Sequence, residues 1–103
     1  MINAHYIANQ WQASTSLEDI PVIDPSSGES YSSIARGTAA DIDAAVSAAR
    51  LAVGETFDGP WGSLSALERS RLLARLGAAV LAHHEELAQI EARDTGKALK
   101  VAR

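Results

Sequence analysis

The chain has 103 residues, of which 47% are hydrophobic, so it can form one small globular domain with a modest core. Thirteen acidic residues against nine basic ones give a net charge of −4, which argues against a partner that needs a basic face, such as nucleic acid or an anionic membrane. The absence of cysteine excludes a disulfide, a thiolate metal site and a cysteine nucleophile within this chain.

Residues 1–37 are predicted to form short strands and turns. The N-terminus lacks the basic and apolar regions of a secretory leader, and no run approaches the ~20 apolar residues of a membrane span, so a cytoplasmic protein is expected. The segments H-Y-I-A and W-Q-A-S flank Asn9-Gln10, which predicts a first hairpin. A second hairpin is predicted around P-S-S-G, where Pro25 suits an early turn position and Gly28 a positive φ.

The rest of the chain is predicted to be helical. A first helix should begin after Thr38, because Thr38 and Asp41 resemble a capping box, and it should end at Gly54. A second capping box, Ser65 with Glu68, predicts the start of a long helix. Its apolar stripe, at helical spacing, consists of Leu73, Leu76, Val80, Leu87 and Ile90.

The long helix should bend and then stop. An unbroken helix up to Asp94 would be about 45 Å long at ~1.5 Å per residue, which is long for a small domain, so a bend is expected near His83-His84. Gly96 should end it, and residues 97–103 should begin another helix. We therefore expect an α+β segment of two hairpins and two main helices, with residues 1–103 forming one incomplete domain (1–37 hairpins, 38–103 helical).

Two charged clusters favour structural over chemical interpretations. Adjacent histidines at positions 83 and 84 point about 100° apart on a helix, so they cannot easily share one metal, and a solvated bend is favoured. The arginines of the long helix favour a charged face over a phosphate site, because a helix interior lacks the free N–H donors of a glycine-rich turn. These arginines are Arg69, Arg71 and Arg75.

Asp94 is the unusual residue. A carboxylate near a helix C-terminus adds negative charge where the exposed carbonyls are already negative. Two explanations remain open: a local ion pair with Arg93 or Lys97, which the sequence alone favours, or a cation held by Asp94 and backbone carbonyls.

Taken together, the motifs resemble the N-terminal portion of the aldehyde dehydrogenase superfamily. The resemblance covers essentially the whole chain, in the family's order and spacing, although no single motif is decisive. The matching segments are Y-I-A-N-Q-W, V-I-D-P-S-S-G-E (22–29), D-I-D-A-A-V-S-A-A-R (41–50), P-W-G-S-L-S-A-L-E-R-S-R-L-L (60–73) and E-A-R-D-T-G-K (91–97). A small departure is Ala98, where the family often has proline after the G-K pair.

The resemblance implies a longer α/β parent with a Rossmann-type cofactor domain. Such enzymes oxidise an aldehyde to a carboxylic acid with NAD or NADP: a cysteine forms a thiohemiacetal, hydride passes to the nicotinamide, and a glutamate activates the water that releases the acid. The family places these groups downstream, so no catalytic or cofactor-binding residue is expected in this segment. A homodimeric or homotetrameric parent is implied.

The resemblance also implies a metal site. Several family members hold a structural sodium or potassium ion near this scaffold. Matched by position, its ligands would be the backbone carbonyls of Val22 and Ile23 and the carboxylate of Asp94.

A different class of function competes with the scaffold of an enzyme: a stand-alone interaction or assembly module derived from the family. A fragment should expose the apolar faces that meet the cofactor domain and should self-associate, whereas an evolved module should be monodisperse. The alanine-rich first helix and the truncated last helix favour the fragment.

Overall fold

The computed structural model describes residues 4–103, in which four strands precede four helices. Strands β1 (Ala4–Ile7) and β2 (Gln10–Ala13) pair antiparallel, and Ile7 lies opposite Gln10. The two residues between them, Ala8 and Asn9, have φ values of 53° and 63°, as a two-residue type I′ turn requires. The prediction of a turn at Asn9-Gln10 was therefore wrong by one residue, because Gln10 already pairs in β2.

The second hairpin consists of β3 (Asp19–Ile23) and β4 (Ser30–Ala35). Its turn is closed by hydrogen bonds from the Gly28 N–H to the Asp24 carbonyl (2.8 Å) and from the Asp24 N–H to the Glu29 carbonyl (2.9 Å). Gly28 has a φ of 75°, which confirms the predicted turn position. Two hairpins followed by helices confirm the α+β class of the segment.

Helix α1 (Ala39–Val53) begins with the predicted capping box. The Asp41 N–H donates to Thr38 Oγ1 (3.2 Å), and the Thr38 N–H donates to Asp41 Oδ2 (3.0 Å). After the helix, the chain folds back so that the Gly62 N–H donates to the carbonyl of Ala52 (3.1 Å). A Cβ atom at Gly62 would overlap the carbonyl oxygen of Val53, so this return of the chain requires glycine.

The long helix is interrupted, as expected. Helix α2 (Ala66–Ala82) starts directly after Ser65, and α3 (His84–Thr95) starts directly after His83, so the predicted bend is confirmed. Gly96, with a φ of 73°, ends α3 in the left-handed conformation, and its N–H donates to the Ala92 carbonyl (3.0 Å). Helix α4 (Leu99–Ala102) follows.

The chain divides into two compact units. The first comprises the described residues up to Pro21 together with Ser32–Ser65, and the second comprises Val22–Tyr31 and Ala66–Arg103. Within the described residues, the buried apolar side chains are Ala35 in the first unit and Ala88 in the second. Among residues 4–103, no helix is long and apolar enough to cross a membrane.

The apolar stripe of α2 and α3 is exposed. Its helical spacing was predicted correctly, but its side chains keep between 46% and 60% of their surface accessible: Leu73, Leu76, Val80, Leu87 and Ile90. The second unit contains, besides α2 and α3, only a hairpin tip and the four-residue α4, and these do not cover the stripe. Burial of this stripe in a core of the described segment is therefore not observed.

Candidate functional site

Asp94 lies in the last turn of α3, just before the left-handed Gly96. A Cβ atom at Gly96 would be 3.2 Å from Cγ of Pro25, so the helix end lies directly against the turn of the second hairpin. Both elements belong to the second compact unit. The structure thus brings the C-terminus of α3 next to the hairpin tip that contains Val22 and Ile23.

The hydroxyl of Tyr31 donates a hydrogen bond to Asp94 Oδ1 over 3.2 Å. Tyr31 is half-buried in β4, and 63 residues separate it from Asp94. Desolvation raises the pKa of Tyr31, and the negative charge of Asp94 raises this pKa further. The hydroxyl is therefore a proton donor at neutral pH, and Asp94 has a neutral partner.

The two cations closest in sequence to Asp94 have other partners. The Arg93 Nε lies 3.7 Å from Asp24 Oδ2, and the guanidinium carbon lies 4.1 Å from the centre of the Tyr31 ring. Lys97 Nζ donates to Glu91 Oε1 over 2.7 Å. The sequence favoured a local ion pair between Asp94 and one of these two cations. In the structure Arg93 pairs with Asp24 and Lys97 pairs with Glu91 instead.

The hairpin tip supplies the other predicted ligands. Val22 is half-buried and Ile23 is 47% exposed, and both lie at the end of β3, immediately before Asp24. The Asp24 carboxylate accepts from the Ser26 N–H (2.8 Å) through Oδ1 and faces Arg93 through Oδ2. The described side-chain contact that joins Asp94 to this hairpin runs through Tyr31.

Negative charge is in excess at this site. Asp24 pairs with the Arg93 guanidinium, whereas the described partner of Asp94 is the neutral Tyr31 hydroxyl, and the C-terminus of α3 adds partial negative charge. The position of Asp94 in the helix singled it out in the sequence, whereas neither Tyr31 nor Asp24 was identified as a residue of this site. No local signal could have paired Tyr31 with Asp94, because they are far apart in the chain.

A second polar cluster surrounds Asp41 in the first unit. Asp41 is 7% exposed; its Oδ2 accepts from the hydroxyl of Ser14 (2.7 Å) and its Oδ1 from the N–H of Thr15 (3.2 Å). These bonds, with the one from Thr38, hold the pKa of Asp41 well below its usual range. His5 Nε2 lies 3.4 Å from Asp41 Oδ2 and borders a cavity of about 410 Å³. The cluster fastens the start of α1 to the strands.

The described residues contain no side-chain cluster suited to a transition metal. Within residues 4–103, no group of three or more histidine, aspartate or glutamate side chains is arranged to hold a metal ion. His83 Nδ1 lies 3.4 Å from Glu86 Oε2 on the exposed surface at the helix break. This geometry agrees with the solvated bend favoured for the histidine pair.

Comparisons with known proteins identify the segment. The model of the aldehyde dehydrogenase family matches residues 11–103. A curated relative, aldehyde dehydrogenase family 2 member B4, mitochondrial, from Arabidopsis thaliana, is 43% identical over 97 residues, which are 94% of this chain and 16% of the relative. The chain therefore spans about a sixth of the length of that relative.

Solved structures agree in fold. A crystal structure from Burkholderia cenocepacia, provisionally described as an aldehyde dehydrogenase, is 56% identical with a TM-score of 0.87 and covers 96% of this chain and 20% of its own. PnpE from Pseudomonas sp. WBC-3, solved in complex with nicotinamide adenine dinucleotide, is 36% identical with a TM-score of 0.87 and covers 100% of this chain and 20% of its own.

Proposed function

The chain belongs to the aldehyde dehydrogenase family as an N-terminal segment, and from this membership we propose that it is the scaffold portion of an enzyme that oxidises an aldehyde to a carboxylic acid. The observation that supports this most directly is the family match over residues 11–103. The electron acceptor of the whole enzyme is proposed to be NAD or NADP, and the complex of the similar PnpE with nicotinamide adenine dinucleotide favours NAD.

The nicotinamide cofactor does not fit the residues of this chain. Dinucleotide sites of this class of fold use a G-x-G-x-x-G turn at a helix N-terminus, whereas the glycines here occur singly, at turns, at helix ends and within α2. With no cysteine in the sequence, the chain also lacks the nucleophile of the family's reaction. Its proposed contribution to catalysis is therefore structural.

The exposed apolar stripe of α2 and α3 supports the scaffold role over an independent module. Five large apolar side chains on neighbouring turns are an unusual surface for a protein that acts alone in water. We expect the purified chain to self-associate, and Leu76→Glu to reduce this association. Light scattering over a concentration series measures both, and a monodisperse wild-type chain would favour the stand-alone module.

A chimaera tests the scaffold proposal. The matching segment of the Burkholderia cenocepacia relative is replaced by this chain, and aldehyde-dependent NADH formation is measured. The chimaera should keep most of the activity of the relative, while this chain alone should have none. A matched chimaera that carries Leu76→Glu should fold less well and lose activity. Aldehyde oxidation by the chain alone, or a folded but inactive first chimaera, would contradict the proposal.

We propose that the carbonyls of Val22 and Ile23 and the carboxylate of Asp94 hold a sodium or potassium ion. All three groups offer oxygen donors, which hard cations prefer, and the excess of negative charge around Asp24 and Asp94 suits a single positive ion. Potassium or sodium chloride should then raise the thermal midpoint of the chain above its value in tetramethylammonium chloride at equal ionic strength. Asp94→Asn should remove that difference, and an unchanged difference would contradict the site.

The location and assembly of the whole enzyme are also proposals. A cytoplasmic location is proposed, and the mitochondrion is the alternative because the plant relative is named as mitochondrial. Cell fractionation separates the two. A homodimer or homotetramer is proposed for the whole enzyme, and sedimentation equilibrium measures its mass.

A further inference from the structure

If the cation site proposed above exists, the carboxylate of Asp94 must not already be paired with a cationic side chain. Arg93 is the immediate neighbour of Asp94, and an arginine fork can occupy both oxygens of a carboxylate. Such a pair would compete directly with a bound ion. The position of the Arg93 side chain therefore decides whether Asp94 is available.

Two residues of the hairpin tip hold Arg93. Its guanidinium carbon is 4.1 Å from the centre of the Tyr31 ring, well within the ~6 Å range of a cation–π contact. Its Nε is 3.7 Å from Asp24 Oδ2, and Asp24 is itself fixed by the hydrogen bond that it accepts from the Ser26 N–H. The guanidinium is thus bound on a face and on an edge by groups other than Asp94.

Tyr31 contacts both Arg93 and Asp94. While its ring binds Arg93, its hydroxyl donates to Asp94 Oδ1 at 3.2 Å. A phenol donates one hydrogen and has no charge, so it orients the carboxylate without neutralising it.

We propose that Tyr31 and Asp24 are positioning residues that hold the Arg93 guanidinium away from Asp94 and so leave this carboxylate unpaired, with Oδ2 free to bind a monovalent cation. Tyr31 fixes the orientation of the carboxylate through Oδ1. Asp24 and the aromatic ring supply the alternative partners that Arg93 needs.

The first test measures ion binding on the full chain. The thermal midpoint is followed as potassium chloride replaces tetramethylammonium chloride at constant ionic strength. Tyr31→Phe keeps the ring and removes the hydroxyl, and Asp24→Asn keeps the shape and removes the charge, so both variants should fold. Each should weaken the apparent potassium affinity about tenfold, in line with the loss of one hydrogen bond or charge near the ion. Lys97→Gln, whose lysine pairs with Glu91, is the matched control and should bind as the wild type does.

The second test needs no ion. Urea midpoints are measured in tetramethylammonium chloride for Arg93→Gln, Asp94→Asn and the double variant. In the wild-type background the coupling between the two shifts should be small, because Arg93 and Asp94 share Tyr31 as a partner but do not pair with each other. In the Asp24→Asn background the coupling should grow, because the released guanidinium turns to Asp94. Coupling of equal size in both backgrounds would overturn the inference.

The two tests separate the two proposals. If potassium did not specifically stabilise the wild-type chain, the proposal of a cation site would be wrong. The double-variant cycle would still decide whether Arg93 is held away from Asp94. Potassium binding that is unchanged by both Tyr31→Phe and Asp24→Asn would keep the site and reject their positioning role.

Discussion

Glu85 and Arg103 are joined by a fork of two hydrogen bonds, from Nε to Oε2 and from Nη2 to Oε1, each of 2.9 Å. The fork connects the first turn of α3 with the residue that follows α4, and these two helices lie in contact. Because α4 has only 4 residues, it cannot be stable as an isolated helix. Its order therefore depends on α3 and on this pair.

The Glu85–Arg103 pair predicts an acid-sensitive contribution to stability. The bonds from Arg103 and then Gln89 lower the pKa of Glu85 to about 2. Since the folded value lies below the unfolded value of about 4.3, the contribution is complete above that pH and is lost as the pH falls towards 2. Glu85→Gln should lower the urea midpoint slightly at pH 7, and this difference should shrink at pH 2. Glu86→Gln is the control, and equal effects of both variants at pH 7 would contradict the prediction.

Asp41 is expected to make a second and larger contribution to stability that is lost in acid. The hydroxyl of Ser14, followed by the backbone N–H of Thr38, lowers the pKa of Asp41, so its stabilisation is present above an unfolded pKa of about 3.9 and is lost at more acidic pH. Asp41→Asn should lower the thermal midpoint at pH 7 more than Asp43→Asn, which changes an exposed position of the same helix. Circular dichroism melts measure both. A smaller effect at position 41 than at 43 would show that the buried bonds are not stabilising.

The N-cap of α1 can be tested separately from Asp41. Thr38→Ala removes the oxygen that accepts from the Asp41 N–H and should cost about 1 kcal/mol, or a fall of about 4–8 °C in Tm. Ser47→Ala, in the exposed middle of α1, replaces serine with a better helix former and should be neutral or slightly stabilising. Thermal melts of the two variants give the comparison. Similar effects would mean that the cap does not limit stability.

Replacement of two glycines by alanine should change the free energy of unfolding in opposite directions. Gly96→Ala places a Cβ atom on a residue with a φ of 73° and at 3.2 Å from Pro25, and should cost about 1–2 kcal/mol. Gly77→Ala lies inside α2, where no atom other than its chain neighbours and the backbone of its own helix is within 4 Å of the new Cβ, and should stabilise by about 0.5–1 kcal/mol. Urea unfolding measures both changes. The same sign for both would refute the assignment of Gly96 as a helix terminator.

The elements predicted most accurately from the sequence were those that depend on local chemistry. Thr38 with Asp41, Gly28 in its turn, and Gly96 at the end of α3 each act within a few residues, so their spacing alone was sufficient. The first turn was misplaced by one residue because Ala8, which is not a typical turn residue, adopts a positive φ.

The surroundings of Asp94 could not be predicted in the same way. Tyr31 reaches Asp94 only because the second hairpin lies against the end of α3, and Arg93 turns to Asp24 for the same reason. Helical spacing also identified the apolar stripe of α2 and α3 but could not by itself indicate that the stripe is exposed in the described residues. Both points concern tertiary contacts, which periodicity does not contain.

The crowded return of the chain after α1 bears on how family alignments should be interpreted. At Gly62 the carbonyl of Val53 leaves no room for a side chain, although Gly62 is not among the residues proposed to bind the cation. An invariant glycine at this position would thus record a steric requirement of the backbone. Selection at Gly62 should persist even in family members that have lost catalysis, which makes it a marker of the fold and not of the activity.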